Sequence, residues 1–291
     1  MKRKKLCICI FILLIVVSIL VFGSGHSNDK YYIKSDEGEK ISIEEYIKGV
    51  MMSFIPVDYN EQTMKAVAVM IRTYLMQEFV SMDENVIDME NLKLGYTSPD
   101  TMRSTLGNDI FEDTMQKYSD AVEATKGEVI KYDGKLIVPL YHEVSAGSTR
   151  DASKYFDEDI PYMKSVRCNQ DVESEDYLKV TEIEKKEFYE IVSQLTGSKE
   201  QKIPDLIRDE ADYVVKAEFG KGEISGEVFA SRFDLNSSCF YIEESGDYIK
   251  IITKGQGCGM GMSIFGAQCL GKQGYDYKAI LKYFYAGVDI E

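Results

Sequence analysis

An uncharged apolar run near the N-terminus constrains this chain more than any other feature. Leu6–Phe22 holds 17 residues with one serine and no charge, and Met1–Lys5 before it is strongly basic. A helix of this length is at the short end of what spans a bilayer. Basic residues ahead of the run favour an orientation with the N-terminus inside. We predict a cytoplasmic tail over residues 1–5 and a single-pass cell-membrane anchor over 6–23, with everything beyond extracytoplasmic.

A cleaved signal peptide is the alternative to an anchor. Small residues at Gly23–Gly25 would suit cleavage, and the short apolar run is compatible with it. Cys7 and Cys9 lie at the start of the run, where a lipoprotein acceptor cysteine would not be. We favour the uncleaved anchor. The polar residues 24–40 are then a linker to a domain over 41–291.

The charge balance limits the partners of that domain. The net charge of −15, in a chain with a basic N-terminus, argues against nucleic acid as a partner. Only His26 and His142 are present, so neither a histidine-built metal site nor a cofactor is expected. The cysteines beyond the anchor are Cys168, Cys239, Cys258 and Cys269. They have no CxxC spacing and could be disulfides or buried thiols.

The first half of the domain reads mainly as helices. Ser42 and Glu45 form a capping box ahead of a helix over 43–54, and Asn60 caps a second helix with one apolar stripe. Residues 83–110 are expected to be loop-rich and polar, and a further helix is predicted over 112–125. Asp133-Gly134, between two β-rich runs, predicts a hairpin.

The second half mixes strands and helices. A capping box from Thr181 to Glu184 predicts a helix over 182–195. Strands are predicted at 213–220, 226–233, 238–244 and 248–255. A glycine-rich loop then leads into a helix, and a last helix covers 277–285. This irregular order predicts an α+β fold: a single irregular extracytoplasmic domain with inserted helices, after a transmembrane helix.

Four stretches in this order carry a family resemblance. They are "EYIKGV" from residue 45, "MKAVAVMIRTYLM" after Pro56, "ATKGEVIKYDGKLIVPLYHEVSAGST" from 124, and "GQGCGMGMSIFGAQCLGKQG" from 255. With them the chain resembles the stage II sporulation protein D, or amidase-enhancer, family. That resemblance implies a membrane-anchored cell-wall protein, since known members include lytic transglycosylases that act on peptidoglycan.

The departures from the family pattern fall on its polar groups. Where the resemblance implies a catalytic glutamate, two residues before Pro56, this chain carries Phe54. A lytic transglycosylase needs a carboxyl group that donates a proton and later accepts one. Phenylalanine does neither, whether or not it also packs in the core. Further replacements are Gln62, Val67, Glu143, Val144, Ala146, Cys258, Ile264 and Phe265.

Several residues carry two interpretations. Glu143 is either a relocated catalytic acid or a solvated loop charge. Arg72 either binds a substrate carboxylate or forms an ion pair that holds the groove wall. His142 is either structural or a base, and Cys258 could be a nucleophile only with His142 as its base. The substrate-groove candidates are Phe54, Arg72, Tyr74, Tyr141, His142, Glu143, Ser145, Cys258 and Ser263.

The sequence therefore predicts a sporulation protein of the cell wall with a decayed catalytic site. Its expected partners are peptidoglycan glycan strands, with wall amidases and engulfment membrane proteins implied by the resemblance. A divergent lytic transglycosylase using Glu143 and a purely structural interaction domain are the alternatives.

Overall fold

The computed structural model describes residues 30–291, which fold into two compact units. The first unit contains residues 30–139, 271–282 and 287–291. The second unit contains residues 140–270 and 283–286. Helices and strands are mixed in the described chain, so the predicted α+β class is confirmed.

The predicted tail and anchor, and the first part of the predicted linker, lie outside the described residues. Over residues 30–291, no helix has both the length and the apolar character needed to cross a bilayer.

The described chain has these elements in order. The helices are α1 Ile43–Phe54, α2 Glu61–Met82, α3 Pro99–Leu106, α4 Asn108–Ala124, α5 Ala152–Phe156, α6 Lys185–Thr196, α7 Gly226–Arg232, α8 Ile264–Lys272 and α9 Tyr277–Phe284. The strands are β1 Tyr32–Lys34, β2 Lys40–Ser42, β3 Val86–Asp88, β4 Ile130–Tyr132, β5 Lys135–Leu136, β6 Tyr141–His142, β7 Leu178–Glu184, β8 Asp205–Arg208, β9 Val214–Phe219, β10 Gly222–Ser225, β11 Phe240–Ser245, β12 Tyr248–Lys254, β13 Met262–Ser263 and β14 Asp289–Ile290.

The caps predicted for the first two helices are present. The Ser42 hydroxyl accepts the Glu45 N–H at 3.3 Å, and the Asn60 side chain accepts the Gln62 N–H at 2.8 Å. Each cap satisfies a donor that the first turn of a helix leaves unpaired. The segment 83–110, expected to be loop-rich, also contains β3, which pairs with β1, and α3.

The Asp133-Gly134 hairpin is confirmed. Both residues have positive φ, 50° and 72°, and the flanking strands β4 and β5 are antiparallel. These angles match the turn type whose twist suits a two-residue hairpin. Strand β14 adds to the other edge of β4, which completes a three-stranded sheet in the first unit.

The second unit has two three-stranded antiparallel sheets, β11-β12-β7 and β10-β9-β8. Aromatic side chains fill a shared core, in which the Phe229 ring stacks on Phe240 with centroids 4.5 Å apart. Aromatic pairs in such arrangements add to the stabilisation from burial.

The helix predicted over 182–195 is present as α6, but it begins at Lys185, because Thr181–Glu184 form the end of β7 and pair along β12. The strand predicted over 226–233 is wrong, because Gly226–Arg232 form the helix α7. The Ser225 hydroxyl caps this helix by accepting the Val228 N–H, and Phe229 turns into the core.

Candidate functional site

The turn at the end of α1 holds the position where an acid was expected. Phe54 is the last residue of α1 and is half-buried. The next residue, Ile55, is buried, and its carbonyl accepts the Tyr118 hydroxyl at 2.6 Å. Asp58, further along the same turn, is exposed. The position at which the resemblance implies an acid therefore carries a half-buried aromatic ring.

The glycine of the first motif stretch has a steric reason. A side chain at Gly49 would overlap the Tyr96 ring, which stacks on Tyr46 with centroids 5.1 Å apart. The Thr97 N–H also donates to the Gly49 carbonyl at 3.0 Å. The segment around Tyr96 is therefore packed flat against α1.

Arg72 is fully buried on α2 and bonded to protein groups. Its Nε and Nη2 atoms donate to the Glu44 carboxylate, with the shortest distance 2.7 Å. Its guanidinium also reaches the carbonyls of Val122 and Glu128. This arrangement favours the ion-pair interpretation over substrate binding, because no surface of the side chain is open.

The groove candidate Tyr74 and two residues that depart from the family pattern, Val67 and Gln62, also lie on α2. Tyr74 is half-buried, and Val67 is completely buried. Gln62, at the start of α2, accepts the backbone N–H of Tyr277 through its side-chain oxygen at 3.1 Å. At two positions where the resemblance implies other polar residues, Val67 therefore packs in the core and Gln62 caps α9.

In the second unit, two motif stretches interlock through their backbones. Strand β6 runs parallel to β13, with Tyr141 opposite Met262 and His142 opposite Ser263. A second bridge joins Val144 to Gln256. We call residues 141–147 and 255–263 the motif loops. Their pairing brings together candidates more than a hundred residues apart in sequence.

Glycines make this interlock possible. Gly255, Gly257, Gly259 and Gly261 all have positive φ, between 71° and 100°. A side chain at Gly261 would overlap the Leu140 carbonyl, and one at Gly255 would lie 2.7 Å from the Val144 carbonyl oxygen. Both the backbone angle and the lack of space therefore require glycine in this loop.

His142 is a buried member of the motif loops. Its Nδ1 lies 3.0 Å from the Met260 carbonyl oxygen, which fixes Nδ1 as the protonated nitrogen of the neutral ring. Its Nε2 is buried without a hydrogen-bond partner among the described residues. Burial lowers the pKa of His142 to about 4. The ring is therefore neutral at neutral pH, in line with the structural interpretation.

Tyr141, Glu143 and Cys258 form the accessible part of the motif loops. Glu143 and Cys258 are exposed and Tyr141 is half-buried, and the Cys258 thiol lies 3.7 Å from the Tyr141 carbonyl oxygen. Burial, with the nearby Glu143 and Cys258 charges, raises the pKa of Tyr141. The atoms packed around the Cys258 sulfur raise its pKa as well, which disfavours a reactive thiolate.

Ser145 and Ser263 are both buried against Asp171. The Ser145 N–H and the Ser263 hydroxyl donate to the same Asp171 carboxylate oxygen, each at 2.7 Å. Asp171 has no exposed surface, and burial raises its pKa. The sequence prediction missed Asp171, because a single aspartate in a polar segment carries no signal that it will be buried.

The structure therefore groups six of the predicted residues in the second unit, namely Tyr141, His142, Glu143, Ser145, Cys258 and Ser263. Phe54, Arg72 and Tyr74 belong to the first unit. Among residues 30–291, no cluster of three or more potential metal ligands occurs. Cys168 and Cys239 are buried free thiols, and Cys258 is an exposed one.

A family model described as "Stage II sporulation protein" matches residues 32–132. The stage II sporulation protein D of Bacillus amyloliquefaciens is 29% identical over 266 residues, covering 89% of this chain and 77% of the relative. Its Bacillus subtilis (strain 168) counterpart is 28% identical over 268 residues, with the same coverage. The amidase enhancer of Bacillus subtilis (strain 168) is 25% identical, covering 84% of this chain and 40% of the relative.

The fold and the motif loops define an α+β protein whose glycine-built loops present a few polar groups at the surface. The matches to named relatives run through both units. These matches support the assignment of this chain to the stage II sporulation protein D family.

Proposed function

We propose that this protein is a membrane-anchored, peptidoglycan-associated sporulation protein that binds glycan strands or partner proteins without cleaving the glycan. Its family membership supports the sporulation and cell-wall role. The anchor is the apolar run of residues 6–23, and the two units would lie outside the cell membrane. The observation that carries the non-catalytic part is Phe54 at the end of α1.

Glycan cleavage needs a proton at the leaving oxygen as positive charge develops on the sugar ring. Removing a general acid costs typically about 10²–10⁴-fold in rate. A phenyl ring at this position cannot supply that proton. The core packing of Val67 and the capping contact of Gln62 further reduce the polar groups available for catalysis.

A divergent lytic transglycosylase is the second candidate function. It is favoured by one observation, the exposed Glu143 carboxylate beside Tyr141 on the motif loops. A third possibility is an interaction domain with no affinity for glycan. One relative is an amidase enhancer, which supports a wall amidase as the partner in that case. Engulfment membrane proteins are the other expected partners.

Cleavage is tested by incubating the purified full-length protein with peptidoglycan and analysing the products by mass spectrometry. We expect no anhydro-muropeptides. Products that disappear in Glu143→Gln, but persist in the matched variant Glu173→Gln, would establish the transglycosylase instead. Glu173 is a suitable control because it is also exposed and belongs to the second unit.

Binding is tested by sedimentation with insoluble sacculi. We expect the protein to sediment, and its absence from the pellet would favour the interaction domain. Phe54→Glu tests how far the site has decayed. We expect this variant to remain inactive, because Val67, Ile264 and Phe265 also replace polar groups; restored cleavage would mean that only the acid was lost.

A further inference from the structure

Asp171 joins the two motif loops from a segment that belongs to neither. It lies in a 3₁₀ turn, Asn169–Glu173, and is completely buried. Its Oδ2 atom accepts the Ser145 N–H of one loop and the Ser263 hydroxyl of the other, each at 2.7 Å. A carboxylate that accepts two short hydrogen bonds from separate segments fixes their separation.

Ser263 links the Asp171 carboxyl group to the start of α8. Besides donating to Asp171, the Ser263 hydroxyl accepts the Gly266 N–H at 3.0 Å, so Ser263 caps this helix. A Cβ atom at Gly266 would lie 3.0 Å from Asp171 Oδ1. The helix start is therefore held close against the carboxyl group, and a Cβ atom at Gly266 would make tight contacts there.

The anchored positions lie near the accessible groups. Ser145 follows Glu143 by two residues, and the Glu143 carbonyl accepts the Phe265 N–H at 3.0 Å. Ser263 pairs with His142 in the short parallel ladder, and Cys258 lies on the same loop as Ser263. Fixing Ser145 and Ser263 therefore fixes the backbone that presents Glu143 and Cys258.

We propose that Asp171 is a positioning residue, which holds Glu143 and Cys258 in the arrangement that a bound glycan strand meets. This inference rests on the proposed function in so far as the ligand is a glycan. Asp171 itself touches no ligand, because it has no exposed surface. It acts through the Ser145 amide and the Ser263 hydroxyl.

Ionisation of the buried Asp171 carboxyl group makes the stability of the motif loops depend on pH. Burial raises its pKa, while the bonds from Ser263 and Ser145 lower it, and Cys168 and Tyr177 are the titratable groups that face it. The fold therefore favours the neutral acid more than water does. As pH rises through the folded-state pKa, a charge forms in a buried site, and the loops lose stability.

The test compares Asp171→Ala, Asp171→Asn and the control Glu173→Gln, an exposed carboxyl on the same turn. Hydrogen–deuterium exchange is followed in peptides that contain Ser145 or Gly266, and sedimentation with sacculi is measured over a pH series. We expect Asp171→Ala to speed exchange of both amides by about tenfold, equivalent to one lost hydrogen bond, and to weaken sedimentation by a similar factor.

Asparagine keeps an acceptor oxygen but cannot ionise. Asp171→Asn should therefore restore slow exchange and binding, and remove the pH dependence that arises from this group, while Glu173→Gln behaves as wild type. Wild-type exchange and binding in Asp171→Ala would overturn the proposal. If that variant does not fold, Ser263→Ala replaces it, and unchanged exchange at Gly266 together with unchanged binding would be equally decisive.

Failure of the glycan-binding proposal and failure of the positioning role of Asp171 give different experimental results. If the wild-type protein does not sediment with sacculi, glycan binding is wrong, and the exchange rates of the Ser145 and Gly266 amides still decide whether Asp171 positions the loops. If the wild type sediments but Asp171→Ala matches it, glycan binding stands and the positioning role is wrong.

Discussion

The helix pair α1–α2 of the first unit and the motif loops of the second unit are each stabilised by a different means. Between the two helices, side chains supply the long-range contacts, above all the buried pair of Arg72 on α2 and Glu44 on α1. In the motif loops, backbone pairing and positive-φ glycines set the geometry, with Asp171 as the side-chain anchor. Residues that depart from the polar pattern implied by the resemblance occur in both regions, although the two regions are supported differently.

The largest effect is expected from breaking the side-chain support. Arg72→Met leaves Glu44 without its buried partner and should reduce the free energy of unfolding by about 3–5 kcal/mol. Denaturant unfolding measures this. Glu61→Gln breaks the surface ion pair with Lys65 on the same helix and should cost less than about 1 kcal/mol. Equal losses in the two variants would contradict the distinction.

Breaking the backbone support comes next. Gly261→Ala adds a Cβ atom that overlaps the Leu140 carbonyl at a positive φ, and should cost about 3–4 kcal/mol from the combined strain and overpacking. Gly246 also has positive φ but has open space around it. Gly246→Ala should therefore cost only about 1–2 kcal/mol, and a similar cost at both sites would show that space does not matter.

The buried His142 in the motif loops makes the free energy of unfolding depend on pH. Because the pKa of His142 falls from 6.5 to about 4 in the folded protein, the unfolded chain binds the proton more readily between these values. Stability from this group is present above pH 6.5 and decreases by up to about 3 kcal/mol as pH falls to 4. His142→Gln should flatten that part of the stability profile, and an unchanged profile would contradict neutral burial.

The smallest effect is expected at the accessible groups. Glu143→Gln should change the free energy of unfolding by less than about 0.5 kcal/mol, because the side chain is exposed. Thermal unfolding of the two proteins side by side measures it. A large loss would mean that Glu143 supports the motif loops rather than being presented by them.

The elements that the sequence predicted best are those set by local chemistry. The Ser42 and Asn60 caps and the Asp133-Gly134 turn depend on a few neighbouring residues, which the sequence displays directly. The Thr181–Glu184 pattern has the same local signature, but pairing of β7 along β12 overrides it. Tertiary pairing of this kind has no counterpart in a short window of sequence.

The candidate site shows the same difference between local sequence signals and long-range contacts. The resemblance identified the residues of the motif loops, yet it did not predict that Ser145 and Ser263 meet on one carboxylate. The buried pair of Arg72 with Glu44 was only one of two interpretations, because burial is decided by what packs around α2. The spacing and composition of the sequence do not show which distant segments will be in contact.

The glycines of residues 255–261 have a consequence for recognising relatives of this protein. Their requirement comes from carbonyl oxygens and backbone angles, and it is independent of whether a proton donor occupies position 54. A glycine signature would therefore match relatives with an acid two residues before Pro56 and relatives without one. Only the residue at that position distinguishes them, because the glycines of the loop are required in both cases.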